Sequence, residues 1–261
     1  MGMQWLPKDC ISSILSPTSP GDACRLSTVA SHFRSAADSD AVWEKFPPSD
    51  YKDLISRTVD FSSSSLKFAS KKERYLRLCD SPLVIDDGRL SFWLEKQTGK
   101  KCYMIAARAI HIAWSDELQD WIPLPESRFP EVEVLLGVTW LEIRGCIKSS
   151  FLTPNTTYAA YLVFKLEDNH YGFMLDFADV SVGTNASTSQ TRSAFLTCET
   201  RDKQSAWASV PIEEINKLSV QTKEVMDGDD GDLETSVLET RGFWKRGLIV
   251  QGIEIRPQNG N

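Results

Sequence analysis

The sequence predicts an α+β chain of two unequal domains: a small all-α N-terminal domain, then an antiparallel β-sandwich of jelly-roll type. Three observations predict it. Hydrophobic periodicity changes near Pro82 from helical spacing to strand alternation. Charge changes at the same place: residues 1–80 carry 11 Lys and Arg against 10 Asp and Glu, the remainder 18 against 26, so a net of +1 gives way to −8. Beyond Pro82, short strand-like runs follow one another with almost no helical pattern between them, which points to an antiparallel sandwich. A chain of 261 residues can bury two such cores. The expected boundaries are 1–48 for the helical domain, 49–81 for a partly helical connector and 82–261 for the sandwich.

The helices are punctuated clearly. Pro7 suits a first turn, and Ile11, Ile14 and Leu15 recur at i, i+3 and i+4 until Ser16-Pro17 stops the run. A second helix is expected from the Ser19 N-cap and Pro20, with Asp22 favourable at its positive end and Ala23, Leu26, Ala30 and Phe33 on its apolar face. Ser39-Asp40 opens a third, carrying Val42, Trp43 and Phe46 before Pro47-Pro48. Three short helices cannot bury all of these side chains alone, so part of the surface is expected to meet a partner. In the connector, Ser70-Lys71-Lys72-Glu73 is a capping box that starts a further helix.

Strands are expected at Leu90–Leu94, Cys102–Ala106, Ala109–Trp114, Trp140–Ile147, Thr157–Leu166 and Leu248–Ile255, all rich in β-branched and aromatic residues. Asp86-Asp87-Gly88 and Thr98-Gly99 are turns between them. The one helical pattern in this half is Pro211–Leu218.

Composition and motifs exclude several functions. A formal charge of −7 argues against a nucleic-acid binder. No run approaches the length of a membrane span, and Met1–Trp5 begins no secretory signal, so a cytoplasmic and nuclear protein is expected. Six singly spaced Cys and three isolated His give no metal-ligand spacing, so no metal and no cofactor is expected. Asp227–Asp232 lacks the Gly and Glu that a calcium loop needs at its sixth and twelfth positions. No nucleophile elbow, phosphate loop or zinc-protease motif occurs, so no catalytic residue is assigned and the protein is read as a non-enzyme.

Trp114 and Trp121 stand seven apart across a polar segment. They can share a site only if residues 115–120 loop back, because an odd spacing along one strand puts them on opposite faces. An exposed Trp face suits the C–H face of a sugar, and carboxylates accept bonds from its hydroxyls. The residues alone leave this open against plain core burial, the commoner fate of Trp.

Two family resemblances add to this reading. Leu6-Pro7-Lys8-Asp9-Cys10-Ile11, the Ser19–Cys24 turn, Phe33–Ala37 and Ser39–Phe46 with its Val42-Trp43 pair resemble a plant F-box. The resemblance implies docking on a Skp-type adaptor, and through it on a cullin, by Leu6, Pro7, Ile11, Ile14, Leu15, Pro20, Leu26, Val29, Phe33 and Trp43. Lys8 stands where an acidic residue is more usual.

The segments Ala106–Trp114, Trp140–Ile143, Thr157–Lys165 and Trp244–Pro257 resemble the phloem protein 2-like, Nictaba-related lectin domain. That resemblance implies binding of N-acetylglucosamine oligomers or N-glycan cores through Trp114, Trp121, Asp232 and Glu239, and a dimer through the lectin domain as a further expectation. Here Asp232 replaces a Glu of the family pattern, and Pro123 replaces an aromatic. Together the modules imply a substrate-recognition subunit of a Skp–cullin–F-box ubiquitin ligase that binds a glycan or glycoprotein. The alternative is a stress or defence lectin, or a scaffold, without a degradation role.

Overall fold

The computed structural model describes residues 6–58, 70–113, 119–173, 177–184, 190–195, 208–213 and 231–258. The chain divides into two compact units, one of residues 1–86 and 92–102, the other of residues 87–91 and 103–261.

Among the described residues, six helices build the first unit: α1 (Lys8–Leu15), α2 (Pro20–Leu26), α3 (Ser31–Ala37), α4 (Asp40–Trp43), α5 (Tyr51–Ser56) and α6 (Lys71–Asp80). Two starts follow the sequence signals. Ser19 Oγ accepts from Asp22 N at 3.0 Å with Pro20 at the first helical position, and Ser70 Oγ accepts from Glu73 N at 3.1 Å. Ser39 precedes α4 but makes no side-chain cap, and its hydroxyl pairs instead with Ser12 Oγ at 3.1 Å.

The helix expected from Ala23 through Phe33 is two helices. The Ser27 and Thr28 hydroxyls donate back to the Cys24 and Arg25 carbonyls at 2.6 and 2.7 Å, and the Thr28 and Val29 amides close tight turns onto Arg25 and Leu26. These bonds compete with continuation of α2.

Ile11, Leu15, Ala23, Ala36, Ala37, Val42, Trp43, Leu54, Tyr75 and Leu78 form the interior of this unit. The Trp43 ring lies edge-on to Phe46 at 5.2 Å and tilted on Tyr75 at 5.3 Å. Strand β1 (Leu83–Ile85) belongs to this unit, as does Phe92–Cys102, the end of the hairpin formed by β2 (Leu90–Leu94) and β3 (Lys101–Ala106). The helices hold the hairpin tip through polar bonds: Tyr75 Oη donates to the Glu95 and Lys96 carbonyls at 3.2 Å, and Gly21 N donates to Gln97 O at 2.9 Å. Lys101, nearly buried, pairs with Asp50 at 2.9 Å. Burial raises the Tyr75 hydroxyl above its ordinary range, so it stays a donor, and pushes the neighbouring Cys79 thiol up to about 12.

The second unit is two antiparallel sheets. In the first, β13 (Arg246–Pro257) is the central strand. One edge is paired along its length with β8 (Tyr158–Tyr171), which in turn pairs with β11 (Ala208–Glu213). The other edge is shared: β6 (Val132–Leu135) takes Ile249 and Val250, and β3 takes Gly252–Ile255. Strand β5 (Gln119–Ile122) pairs outside β6. Gly252, at φ +153°, marks the changeover between those partners. A Cβ there would stand 1.9 Å from the Ile105 carbonyl oxygen, so no other residue fits.

The second sheet runs in the order β10 (Gln190–Phe195), β9 (Phe177–Thr184), β12 (Asp232–Glu239), β7 (Leu141–Lys148), β4 (His111–Ile112). Alternation sets its two faces. Leu141, Ile143, Ile147, Leu233, Thr235, Val237, Val180 and Val182 are buried, while Arg144, Cys146, Lys148 and Glu234 are exposed. The missing side chain of Gly145 lets Ile253 of the first sheet approach: a Cβ would meet Ile253 Cδ1 at 2.6 Å.

All six expected strands have counterparts, though Ala109–Trp114 reduces to a 3₁₀ turn followed by β4. Pro211 lies in β11 and not in a helix. It pairs with Tyr161 at a register shift, where a missing amide hydrogen is tolerated, and residues 214–218 lie outside the described part. His111, on β4, is exposed opposite Arg144.

Candidate functional sites

The helical unit carries one surface that its own packing does not explain. Leu6, Ile14 and Val29 are 40%, 50% and 68% exposed, and they are the large hydrophobics left open in that unit among the described residues. Pro7 is also exposed, and Leu26 and Phe33 are half-buried. Single exposed apolar residues are ordinary, and these three all fall within the first 29 residues of the helical unit.

The other residues expected to dock belong to the interior. Ile11, Leu15 and Trp43 are at most 1% exposed, and Pro20 is buried. Ile11 and Leu15 are four apart and turn inward together, which leaves Ile14 on the outside. Trp43 Nε1 donates to the Ala37 carbonyl. These four lie in the interior of the helical unit.

In the sandwich unit, Trp121 is half-buried on β5, directly across from the buried Glu133 of β6. Its neighbour Ile122 turns to the opposite face and packs on Val132, Val134 and Ile249. That parity is what leaves the indole on the other side of the edge strand. Trp114 lies outside the described residues.

Asp232 and Glu239 occupy the two ends of β12, about 23 Å apart at ordinary strand rise. Their odd spacing sends them to opposite faces. Asp232 is half-buried on the outer face beside the exposed Cys146, whose thiol is pushed up to about 11, first by partial desolvation against its neighbours and then by the Asp232 carboxylate. Glu239 turns inward. Its side chain is 1% exposed and forms an ion pair with Lys245, whose own side chain is fully buried. The two carboxylates therefore do not converge on one sugar ring, and Glu239 is committed to a structural pair.

That pair had no sequence signal, because its partners are six residues apart across a turn. It organises the loop above it. Arg241 N donates to Glu239 Oε1 at 2.9 Å, Lys245 Nζ donates to the Phe243 carbonyl at 2.9 Å, and Lys245 exchanges both backbone bonds with Val138 at 2.7 and 2.9 Å. Residues 240–244 are all exposed. Trp244, whose size favours burial, is 58% exposed beside Gly137, and Phe243 is 62% exposed. Next to this loop is a cavity of about 240 Å³ lined by Asp179, Ser193, Leu238, Glu239, Thr240 and Arg241. Among the described residues no cluster of His, Cys, Asp and Glu could hold a metal ion, and no helix is long and apolar enough to cross a membrane.

Comparison with known proteins matches residues 3–45 to the F-box domain and residues 100–257 to phloem protein 2. An Arabidopsis thaliana protein named as F-box protein PP2-B12 is 45% identical over 259 residues, covering 97% of both chains. F-box protein PP2-B10 of the same plant is 40% identical, covering 96% of this chain and 92% of its own. F-box protein PP2-B1 is 36% identical, covering 98% and 90%. Helices first, an antiparallel sandwich second, and these matches along nearly the whole length lead to one assignment: the chain belongs to the plant F-box proteins that carry a phloem protein 2 domain.

Proposed function

We propose that this protein is the substrate-recognition subunit of a Skp–cullin–F-box ubiquitin ligase, with the sandwich unit reading a glycan or glycoprotein and no catalytic step of its own. The observation that carries the proposal is the exposed set Leu6, Ile14 and Val29 on an otherwise well-packed helical unit, in one chain with a lectin-like domain. The helical surface binds the Skp-type adaptor, which recruits the cullin, and the sandwich unit brings the substrate.

The adaptor half is tested by size-exclusion chromatography with a Skp-type adaptor. Wild-type protein co-elutes. The double variant Ile14→Asp, Val29→Asp does not, although its stability stays within about 0.5 kcal/mol of wild type at each site because both side chains are exposed. Co-elution that survives both charges would rule out this surface.

The glycan half is tested on an oligosaccharide array. Trp121→Ala is expected to lower binding at least tenfold, and unchanged binding would remove Trp121 from the site. Glycan binding without any adaptor complex would leave a lectin or scaffold outside degradation.

A further inference from the structure

We propose that the exposed apolar surface at the start of β13, made by Leu136, Tyr171, Phe243 and Trp244, receives a short polypeptide segment of the substrate: one bulky apolar side chain flanked by carboxylates. The proposal rests on the reading of this chain as a substrate-recognition subunit, and it adds a protein contact to the unit read as a glycan receptor.

Leu136, Tyr171, Phe243 and Trp244 are 46%, 48%, 62% and 58% exposed, and among the described residues they are the exposed large hydrophobics of the second unit. They do not scatter over it. The Trp244 ring lies over Gly137, 3.7 Å from where a Cβ would stand, and Leu136 is the chain neighbour of that glycine. Gly172 leaves no room for a Cβ against the Trp244 carbonyl, which brings its neighbour Tyr171 to the same place. Tyr171 also pairs directly with Arg246 across β8 and β13, and directly paired residues share a face.

The surface is held in place from beneath. Lys245 is buried between the exposed Trp244 and Arg246, tied to Glu239 by the ion pair and to Val138 by both backbone bonds. Strand alternation around this inward anchor turns its two neighbours to water. Side chains presented on so fixed a backbone bind with little ordering cost. Phe243 and Trp244 are not among the residues lining the cavity that holds Glu239, so this surface is distinct from it.

Size selects the occupant. At ~200 Å² for a whole aromatic side chain, the three rings leave roughly 300 Å² open at these exposures. That reaches the range of the largest apolar patch on a typical monomer, roughly 300–600 Å², where such patches are often functional. It falls well short of the ~800 Å² per partner that a stable dimer buries, which favours a short segment over a second copy of the chain.

Charge selects its composition. Arg246 is exposed directly opposite Tyr171, and Arg241, 3.9 Å from Glu239, is exposed two residues before Phe243. On β8 the nearest exposed carboxylate is Asp168, three residues before Tyr171, while Glu167 is half-buried. The rim is therefore locally cationic, although residues 81–261 carry a net of −8. Such a rim favours carboxylates on the partner. Trp, Tyr and Arg are also the side chains that dominate protein–protein hot spots.

The test titrates the full chain with fluorescent peptides that carry Leu or Trp between acidic residues, and with the same peptides carrying Lys in place of the acids. Trp244→Ala and Phe243→Ala are each expected to weaken binding of the acidic peptides about tenfold or more, with unchanged urea midpoints and unchanged binding to N-acetylglucosamine oligomers. Arg246→Glu is expected to weaken the acidic peptides and strengthen the Lys-bearing ones. Equal binding of both peptide sets, or acidic-peptide binding that survives both aromatic variants, would overturn the proposal. Wild-type protein that binds neither set would overturn it too, while adaptor co-elution and Trp121-dependent glycan binding would still uphold the reading on which it rests. If no peptide bound and Trp244→Ala instead abolished binding to phosphatidylserine vesicles, or a concentration-dependent dimer, the surface would belong to a membrane or a second copy and the proposal would fall.

Discussion

Lys245→Met is expected to destabilise the sandwich unit by about 3 kcal/mol, because it removes the buried cation paired with Glu239 and leaves that carboxylate only the part-exposed Arg241 guanidinium 3.9 Å away. Glu239→Gln, which strands the ammonium instead, should cost a similar amount. Both side chains are buried in the folded protein, Glu239 at 1% and Lys245 at 0% exposed. Urea unfolding of the full chain reads the effect as a lower midpoint for the sandwich transition. The double variant Glu239→Leu, Lys245→Met should recover much of the loss, because two apolar side chains of similar volume need no partner. Recovery of stability need not restore the loop, since the bonds to the Arg241 amide and the Phe243 carbonyl are gone. Single variants within about 1 kcal/mol of wild type would show that the pair is hydrated and not a buried tether.

The second large effect belongs to the helical unit. Trp43→Ala is expected to cost about 3–5 kcal/mol, the range for removing a fully buried indole. It would empty the space between Phe46 and Tyr75, release Lys72 from the ring face 5.3 Å away, and leave the Ala37 carbonyl without its donor. Trp43→Phe keeps most ring contacts but not the hydrogen bond, and should cost about 1–3 kcal/mol. Both readouts come from thermal unfolding. Adaptor binding should fail in Trp43→Ala in step with the loss of helical signal, whereas Ile14→Asp, Val29→Asp should lose binding with the helical signal intact. Trp43→Ala that folds normally but does not bind would place the indole at the interface after all.

Local signals carried much of the architecture. Ser19-Pro20 and the Ser70–Glu73 box mark helix starts because their chemistry acts within one turn. The six apolar runs became strands because period-2 burial is written in consecutive residues. Strand β12 was less visible: Leu233, Thr235 and Val237 alternate correctly, but Asp232, Glu234 and Ser236 interleave with them and an acidic run precedes the strand. The break between α2 and α3 depended on two hydroxyls turning back on their own carbonyls, against an apolar spacing that argued for continuity.

The sites divide the same way. The resemblance implied a docking segment, but only packing separates Ile14 and Val29, which face out, from Ile11, Leu15, Pro20 and Trp43, which do not. In the sandwich, Asp232 and Glu239 look alike as an acidic pair, yet strand parity and length part them. Size favoured a buried Trp244, whereas the tether at Lys245 turns its neighbour outward.

The bonds between the helices and the hairpin tip also bear on synthesis. Tyr75, which covers the Trp43 ring, finds its acceptors at Glu95 and Lys96, and Asp50 finds its cation at Lys101. The N-terminal helices therefore leave the ribosome before the residues that complete their unit. At ~5–20 residues per second, the 58 residues from Trp43 to Lys101 take roughly 3–12 s to translate. Throughout that interval the nascent F-box exposes more apolar surface than the finished protein, and a chaperone, or the adaptor itself, has its best opportunity to bind.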